Sequence, residues 1–120
     1  MSKIAPEEVD ERLEDGDRSL FIMDIRYKKQ YDRGHIDRSR NFPIYGDIKK
    51  GDTASLEKRL DRIPDEKEVV TVCNAGVTAR KVTEYLNEKG YDAKTLKGGM
   101  RGWSQYDNNT LLYRLKKLLS

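Results

Sequence analysis

Cys73, the one cysteine among 120 residues, closes the apolar run Glu68-Val69-Val70-Thr71-Val72-Cys73 and precedes Asn74-Ala75-Gly76-Val77-Thr78. The run reads as a strand, and Ala79, Val82 and Leu86 follow it at helical spacing. Strand, tight loop and helix in this order aim several backbone N–H groups into one concavity, backed by the positive end of the helix dipole. A thiol held there is favoured as its thiolate, the nucleophilic form. The same cradle holds an anion attached to, or attacking, the sulfur. Gly76 in mid-loop allows the backbone turn that a cradle needs. The plainer alternative makes Cys73 a small core residue at a strand end. The loop and the helix start favour the reactive reading.

Other polar residues gather at the same predicted sheet edge. Asp24 and Arg26 end the run Ser19-Leu20-Phe21-Ile22-Met23-Asp24. An ion pair holding the loop is their first reading, and Arg26 also adds positive potential for a substrate. Arg80 and Lys81 lie in the first turn after the cysteine loop, where helix-dipole stabilisation does not favour bases. A field for anionic donors is therefore one role for Arg80, and a solvated face is the other. Lys97 and Arg101 flank Gly98-Gly99, a loop expected to border the site. His35, the one histidine, tempts a Cys–His pairing. Trp103 reads as packing at a helix start rather than as a rim aromatic.

The elements that must position these residues alternate. Ser19–Asp24 and Glu68–Cys73 are nearly continuous apolar runs, which suit strands buried on both faces of a parallel sheet. Asn41–Ile44 and Asp92–Leu96 are weaker runs of the same kind. Pro6, Glu7 and Glu8 open a helix that carries Val9 and Leu13 and closes at Gly16. Leu56, Leu60 and Ile63 predict another, ended by Pro64, and Gly90 stops the helix after the cysteine. Residues 45–54, with Gly46 and Gly51, predict a loop. The alternation predicts an α/β domain with a mainly parallel sheet. At the end of the chain, Leu111, Leu112, Leu115, Leu118 and Leu119 recur at helical spacing opposite Arg114, Lys116 and Lys117. The expectation is a last helix with its leucines docked on the sheet. The alternative is a basic amphipathic helix for a membrane surface or an acidic partner.

Composition sets the outer limits. A chain of 120 residues is one ordinary domain, not a multidomain enzyme. With 36% hydrophobic and 38% charged residues it is too apolar and too balanced for a disordered chain. A net charge of +3 does not point to nucleic acid, and no nucleic-acid partner is expected. The charge is uneven: residues 1–18 hold seven acids and three bases, residues 97–120 five bases and one acid. A single cysteine excludes a disulfide framework and a thiolate zinc site. Neither a spanning segment nor a signal-peptide core is visible, so the expectation is a soluble cytoplasmic protein without a membrane partner.

Two sets of motifs carry a resemblance. Asp24-Ile25-Arg26, Tyr31, Gly34-His35-Ile36 and Asn41-Phe42-Pro43 resemble the first half of a rhodanese (sulfurtransferase) domain. Val70 to Ala79, then Leu96-Lys97-Gly98-Gly99-Met100-Arg101-Gly102-Trp103, resemble the second. Together they cover about residues 3–106. The resemblance implies a three-layer α/β domain over residues 1–106, with a mostly parallel five-strand sheet flanked by helices. Lys3-Ile4 would supply the first short strand, and residues 107–120 a C-terminal amphipathic helix docked on the same domain. His35 would tie down backbone in a turn.

The resemblance also implies chemistry. A small anionic donor (thiosulfate, a persulfide or a polysulfide) gives sulfane sulfur to catalytic Cys73. The resulting persulfide passes it to a thiol, cyanide or protein acceptor. Asn74, Ala75, Gly76, Val77, Thr78 and Arg26 would bind substrate, with Asp24, Arg80 and Arg101 supporting the site and no cofactor or metal required. A persulfide carrier or partner-binding module with little small-molecule turnover is the alternative. Many single-domain members carry Arg-Ser where this chain has Thr78-Ala79. Gly76-Val77-Thr78-Ala79 is closer to the loop of the two-domain thiosulfate and mercaptopyruvate enzymes. Asn74 and Ala75 match neither the basic pair that follows the cysteine in the thiosulfate enzymes nor the small pair, hydroxyl second, of the mercaptopyruvate enzymes. The loop therefore lacks side-chain charge to clamp a sulfonate. A cysteine phosphatase or arsenate reductase needs arginine six residues after the cysteine, where this chain has Ala79.

Overall fold

Five short strands lie side by side in the order β1-β5-β4-β2-β3, and every neighbouring pair is parallel. The computed structural model describes residues 2–119. The chain runs β1 (Lys3–Ile4), α1 (Pro6–Glu14), β2 (Leu20–Asp24), α2 (Lys28–Arg33), β3 (Arg40–Asn41), α3 (Tyr45–Lys49) and α4 (Ala54–Glu57). A 3₁₀ turn (Leu60–Arg62), β4 (Glu68–Val72), α5 (Ala79–Glu88), β5 (Asp92–Leu96) and α6 (Gly99–Leu119) complete it. β4 is central, paired to β2 from Leu20–Glu68 through Asp24–Val72 and to β5 on its other side.

Burial on both faces explains the continuous apolar runs. Successive strand residues point to opposite faces, so Val69 enters one core cluster while Val70 and Val72 enter the other. The first cluster gathers Met23, Ile48, Leu56, Cys73, Val82 and Leu86 under α3, α4 and α5. The second gathers Ile4, Val9, Ile22 and Leu96, with Leu13 and Trp103 packed on it from α1 and α6. This is the three-layer α/β arrangement expected from the sequence. A buried line of hydroxyls ties the central elements together. Thr83 on α5 pairs with Thr71 of β4 at 2.8 Å and with Thr95 of β5 at 2.7 Å. Thr71 also donates to the carbonyl of Ala79 at 3.2 Å, which holds the start of α5 against the end of β4.

Four expectations need correction. The stretch 45–54 is not all loop: Tyr45–Lys49 is α3, because Ile44 and Ile48 are buried one helical turn apart despite Gly46. Leu56, Leu60 and Ile63 do not share one helix but divide between α4 and the 3₁₀ turn. The third strand covers Arg40–Asn41 rather than Asn41–Ile44, since Pro43 offers no N–H to continue the ladder. Finally, residues 107–119 are not a separate docked helix. α6 runs unbroken from Gly99, and its five leucines near the end stand exposed rather than against the sheet.

Candidate functional site

Cys73 follows the last residue of the central strand and is 2% exposed. Its Sγ accepts the backbone N–H of Gly76 at 3.2 Å and that of Ala79, the first residue of α5, at 3.4 Å. The loop can close so tightly because Gly76 takes φ +80°. Among the described residues the N–H groups of Ala75, Val77 and Thr78 make no hydrogen bond. The loop borders a recess of about 190 Å³ lined by Cys73, Asn74, Ala75, Val77, Thr78, Tyr45 and Arg101. Thr78, whose hydroxyl does not cap α5, also lines that recess. Val77 stands 67% exposed as an apolar rim.

The loop rests on the start of α6. Met100 N–H donates to the Cys73 carbonyl at 2.8 Å, and Arg101 N–H donates to the Asn74 carbonyl at 3.0 Å. Gly98 (φ +74°) and Gly99 (φ +57°) make the turn that brings this helix end so close. The start of α6 therefore borders the cysteine, and Arg101 is the one Lys or Arg side chain in the recess, which Lys97 does not line.

Two candidate residues lie elsewhere. Arg26, 6% exposed, is engaged by Asp24 through contacts of 2.7–3.1 Å and donates to the Gly34 carbonyl at 2.8 Å. It lines a separate, shallower recess with Gln30, His35 and Trp103, not the one over Cys73. Residues two apart on an extended chain share a face, so Asp24 meets Arg26 before any substrate does. Arg80 also turns away, lining a recess with Ser2, Lys3, Thr83 and Asn87. His35 stacks on Tyr31 at 3.9 Å and donates through Nδ1 to the Tyr31 carbonyl at 2.8 Å, a backbone tie. Trp103 packs against the second core cluster and also lines the recess beside Arg26. Tyr45 is the site residue that sequence reasoning missed. The one signal for it is the spacing of Ile44 and Ile48, which predicts a helix starting at the site.

A buried cysteine at the carboxyl end of the central strand, under loop amides and a helix start, defines an α/β domain built around one thiol. Residues 5–106 match the rhodanese-like domain, and the chain belongs to that family. The thiosulfate sulfurtransferase GlpE of Shewanella oneidensis is 27% identical over 89 residues, covering 73% of this chain and 79% of GlpE. A sulfurtransferase of Allochromatium vinosum is 24% identical over 107 residues, covering 88% of this chain and 91% of that protein. The crystal structure of a rhodanese-like domain protein from Staphylococcus aureus superposes with a TM-score of 0.71 at 26% identity, over 86% of this chain and 91% of that one.

Proposed function

We propose that the protein is a sulfurtransferase that carries sulfane sulfur as a persulfide on Cys73. The observation that carries this reading is the pair of N–H donors, Gly76 and Ala79, on Sγ, with further loop amides left without a partner. Donors arranged before reaction stabilise sulfur anions without reorganising.

The steps balance on sulfur alone. The Cys73 thiolate attacks the outer sulfur of the donor, a bond forms from Sγ to that sulfur, and the donor's own bond to it breaks. The leaving group departs with the electron pair: sulfite from thiosulfate, a thiolate from a persulfide, and the enolate of pyruvate, then protonated by water, from mercaptopyruvate. The outer sulfur of the persulfide then carries the negative charge toward the free amides of Ala75, Val77 and Thr78. A nucleophilic acceptor attacks that sulfur, and the Cys73 thiolate leaves. No second cysteine in the chain can take the sulfur, so release goes to an outside thiol, cyanide or protein acceptor. Arg101 is the cation that draws an anionic donor into the recess, with Asn74, Ala75 and Thr78 as its walls. The mechanism calls on no cofactor.

Intact-mass measurement after incubation with thiosulfate, mercaptopyruvate and glutathione persulfide tests this reading. The expected result is a gain of one sulfur atom that Cys73→Ser abolishes while the fold is retained. Full activity in that variant overturns the mechanism. Turnover to small acceptors separates a transferase from a carrier that loads but does not release to them.

A further inference from the structure

The end of α6 presents an apolar face that the domain does not cover. Leu111, Leu112, Leu115, Leu118 and Leu119 are all exposed, Leu118 and Leu119 at 81% and 88%. At about 100° per residue these five leucines fall within a stripe roughly 120° wide. Arg114 lies about 40° outside one edge of the stripe and Lys116 about 40° outside the other. No acidic residue occurs after Asp107. The helix meets α1 through Tyr106, which donates to Asp10 at 2.8 Å, and through Arg114, 3.6 Å from Glu14. The Arg114–Glu14 pair is exposed on both sides and therefore weak, so Arg114 is available to another anion. An apolar patch of this kind on a small domain marks an interaction surface.

We propose that residues 111–119 lie in the headgroup region of an anionic lipid surface, leucines toward the acyl chains and Arg114 and Lys116 toward the headgroups. Charge selects this occupant. Cations at both edges of the stripe meet a planar anionic surface together, the pattern of a helix lying in a membrane interface. A second copy of the chain would bring the same basic edges against each other. The segment is too short and too charged to span, and no helix among the described residues is long and apolar enough to cross a membrane. Because α6 begins under the cysteine loop, that loop lies roughly 18–30 Å along the helix axis from the residues that would contact lipid. This inference is independent of the sulfur chemistry.

Vesicle co-sedimentation with the full chain tests it, comparing equimolar phosphatidylglycerol and phosphatidylcholine with phosphatidylcholine alone. The expected result is sedimentation with the anionic vesicles that weakens as salt rises from 0.1 to 0.5 M. The double variant Leu115→Ser/Leu118→Ser should lower binding by at least about tenfold. Arg114→Gln/Lys116→Gln should remove the preference for anionic lipid. All four side chains are exposed, so unchanged thermal melting accompanies both variants. Cys73→Ser should bind vesicles like the parent, which keeps this result separate from sulfur loading. Failure of the parent to sediment, or equal binding by the leucine variant, overturns the proposal. So does a dimer in light scattering that the leucine variant dissolves while vesicles leave the parent unbound.

Discussion

The Met100 N–H donates to the carbonyl of Cys73 at 2.8 Å, so the helix that leaves the domain is fastened to the residue at the centre of its candidate site. The Arg101 N–H repeats the contact one residue along, at the carbonyl of Asn74. Two orphan donors of a helix start thus satisfy two carbonyls of the cysteine loop. Loop and helix hold each other in place, and Gly99 is the point of closest approach between them.

Gly99→Ala should therefore damage fold and site together. A Cβ there would press on the Cys73 carbonyl and stand 2.7 Å from the Gly76 nitrogen, both backbone atoms that cannot rotate aside. The φ of +57° adds strain for any side chain. The expected cost is about 2 kcal/mol or more, read as a lowered Tm, with slower persulfide formation at temperatures where the variant is folded. An unchanged Tm would show that the start of α6 yields easily.

Arg101→Gln should act on donor binding rather than on the fold, because the side chain is exposed and lines the recess over Cys73. Removing the one Lys or Arg of that recess should raise KM for an anionic donor by about tenfold while kcat changes less. Steady-state kinetics with thiosulfate read this directly. Equal losses for charged and uncharged sulfur donors would count against an electrostatic role.

The sequence reading and the structure part ways where side-chain direction matters. The strand-loop-helix unit around Cys73 was legible because an apolar run buried on both faces, a loop glycine and a helical repeat occur in immediate succession. Asp24, Arg26, Arg80 and Arg101 all lie at element ends near one sheet edge, and spacing could not say which would face the thiol. Arg26 was claimed by a carboxylate two residues away, and Arg80 faced the wrong side of its helix. Tyr45 was hidden because Gly46 and Asp47 weaken the propensity of a five-residue helix that tertiary burial of Ile48 nevertheless forms. The leucines of α6 showed their period correctly, but a period does not reveal what the face meets.

Arg26→Ala should lower stability, not merely activity. It would leave the Asp24 carboxylate buried without its cation, a change that costs about 3–5 kcal/mol. Denaturant titration should show a lower midpoint, and Asp24→Asn added to Arg26→Ala should recover part of the loss. A stable Arg26→Ala protein with raised donor KM would instead return Arg26 to the substrate.

Ala75→Lys should raise thiosulfate turnover several-fold. The position lines the recess, and a cation there supplies the side-chain charge that the loop lacks for a sulfonate. A cyanide-acceptor assay measures the change. No gain would mean that missing loop charge does not limit this donor.

Acid sensitivity should arise at the far end of β4, where Glu68 accepts Arg12 Nη1 at 2.9 Å and Lys94 Nζ at 2.7 Å. Burial pushes the Glu68 carboxyl up, but the hydrogen bonds from Lys94 and Arg12 outweigh it and hold the group below the usual carboxylate range. Asp17 is also held low, first by hydrogen bonds from Ser19 and then by Arg12. Both groups bind protons less readily folded than unfolded. Their stabilisation is therefore complete above the unfolded values near about 4 and is lost as pH falls through the lower folded ones. Tm should hold from pH 7 to 5 and then drop toward pH 3. Glu68→Gln should lower Tm by roughly 4–6 °C at pH 7, for about 1 kcal/mol of lost hydrogen bonding, and should flatten the acid limb. Parallel Tm curves for parent and variant across this range would place the acid-labile group elsewhere.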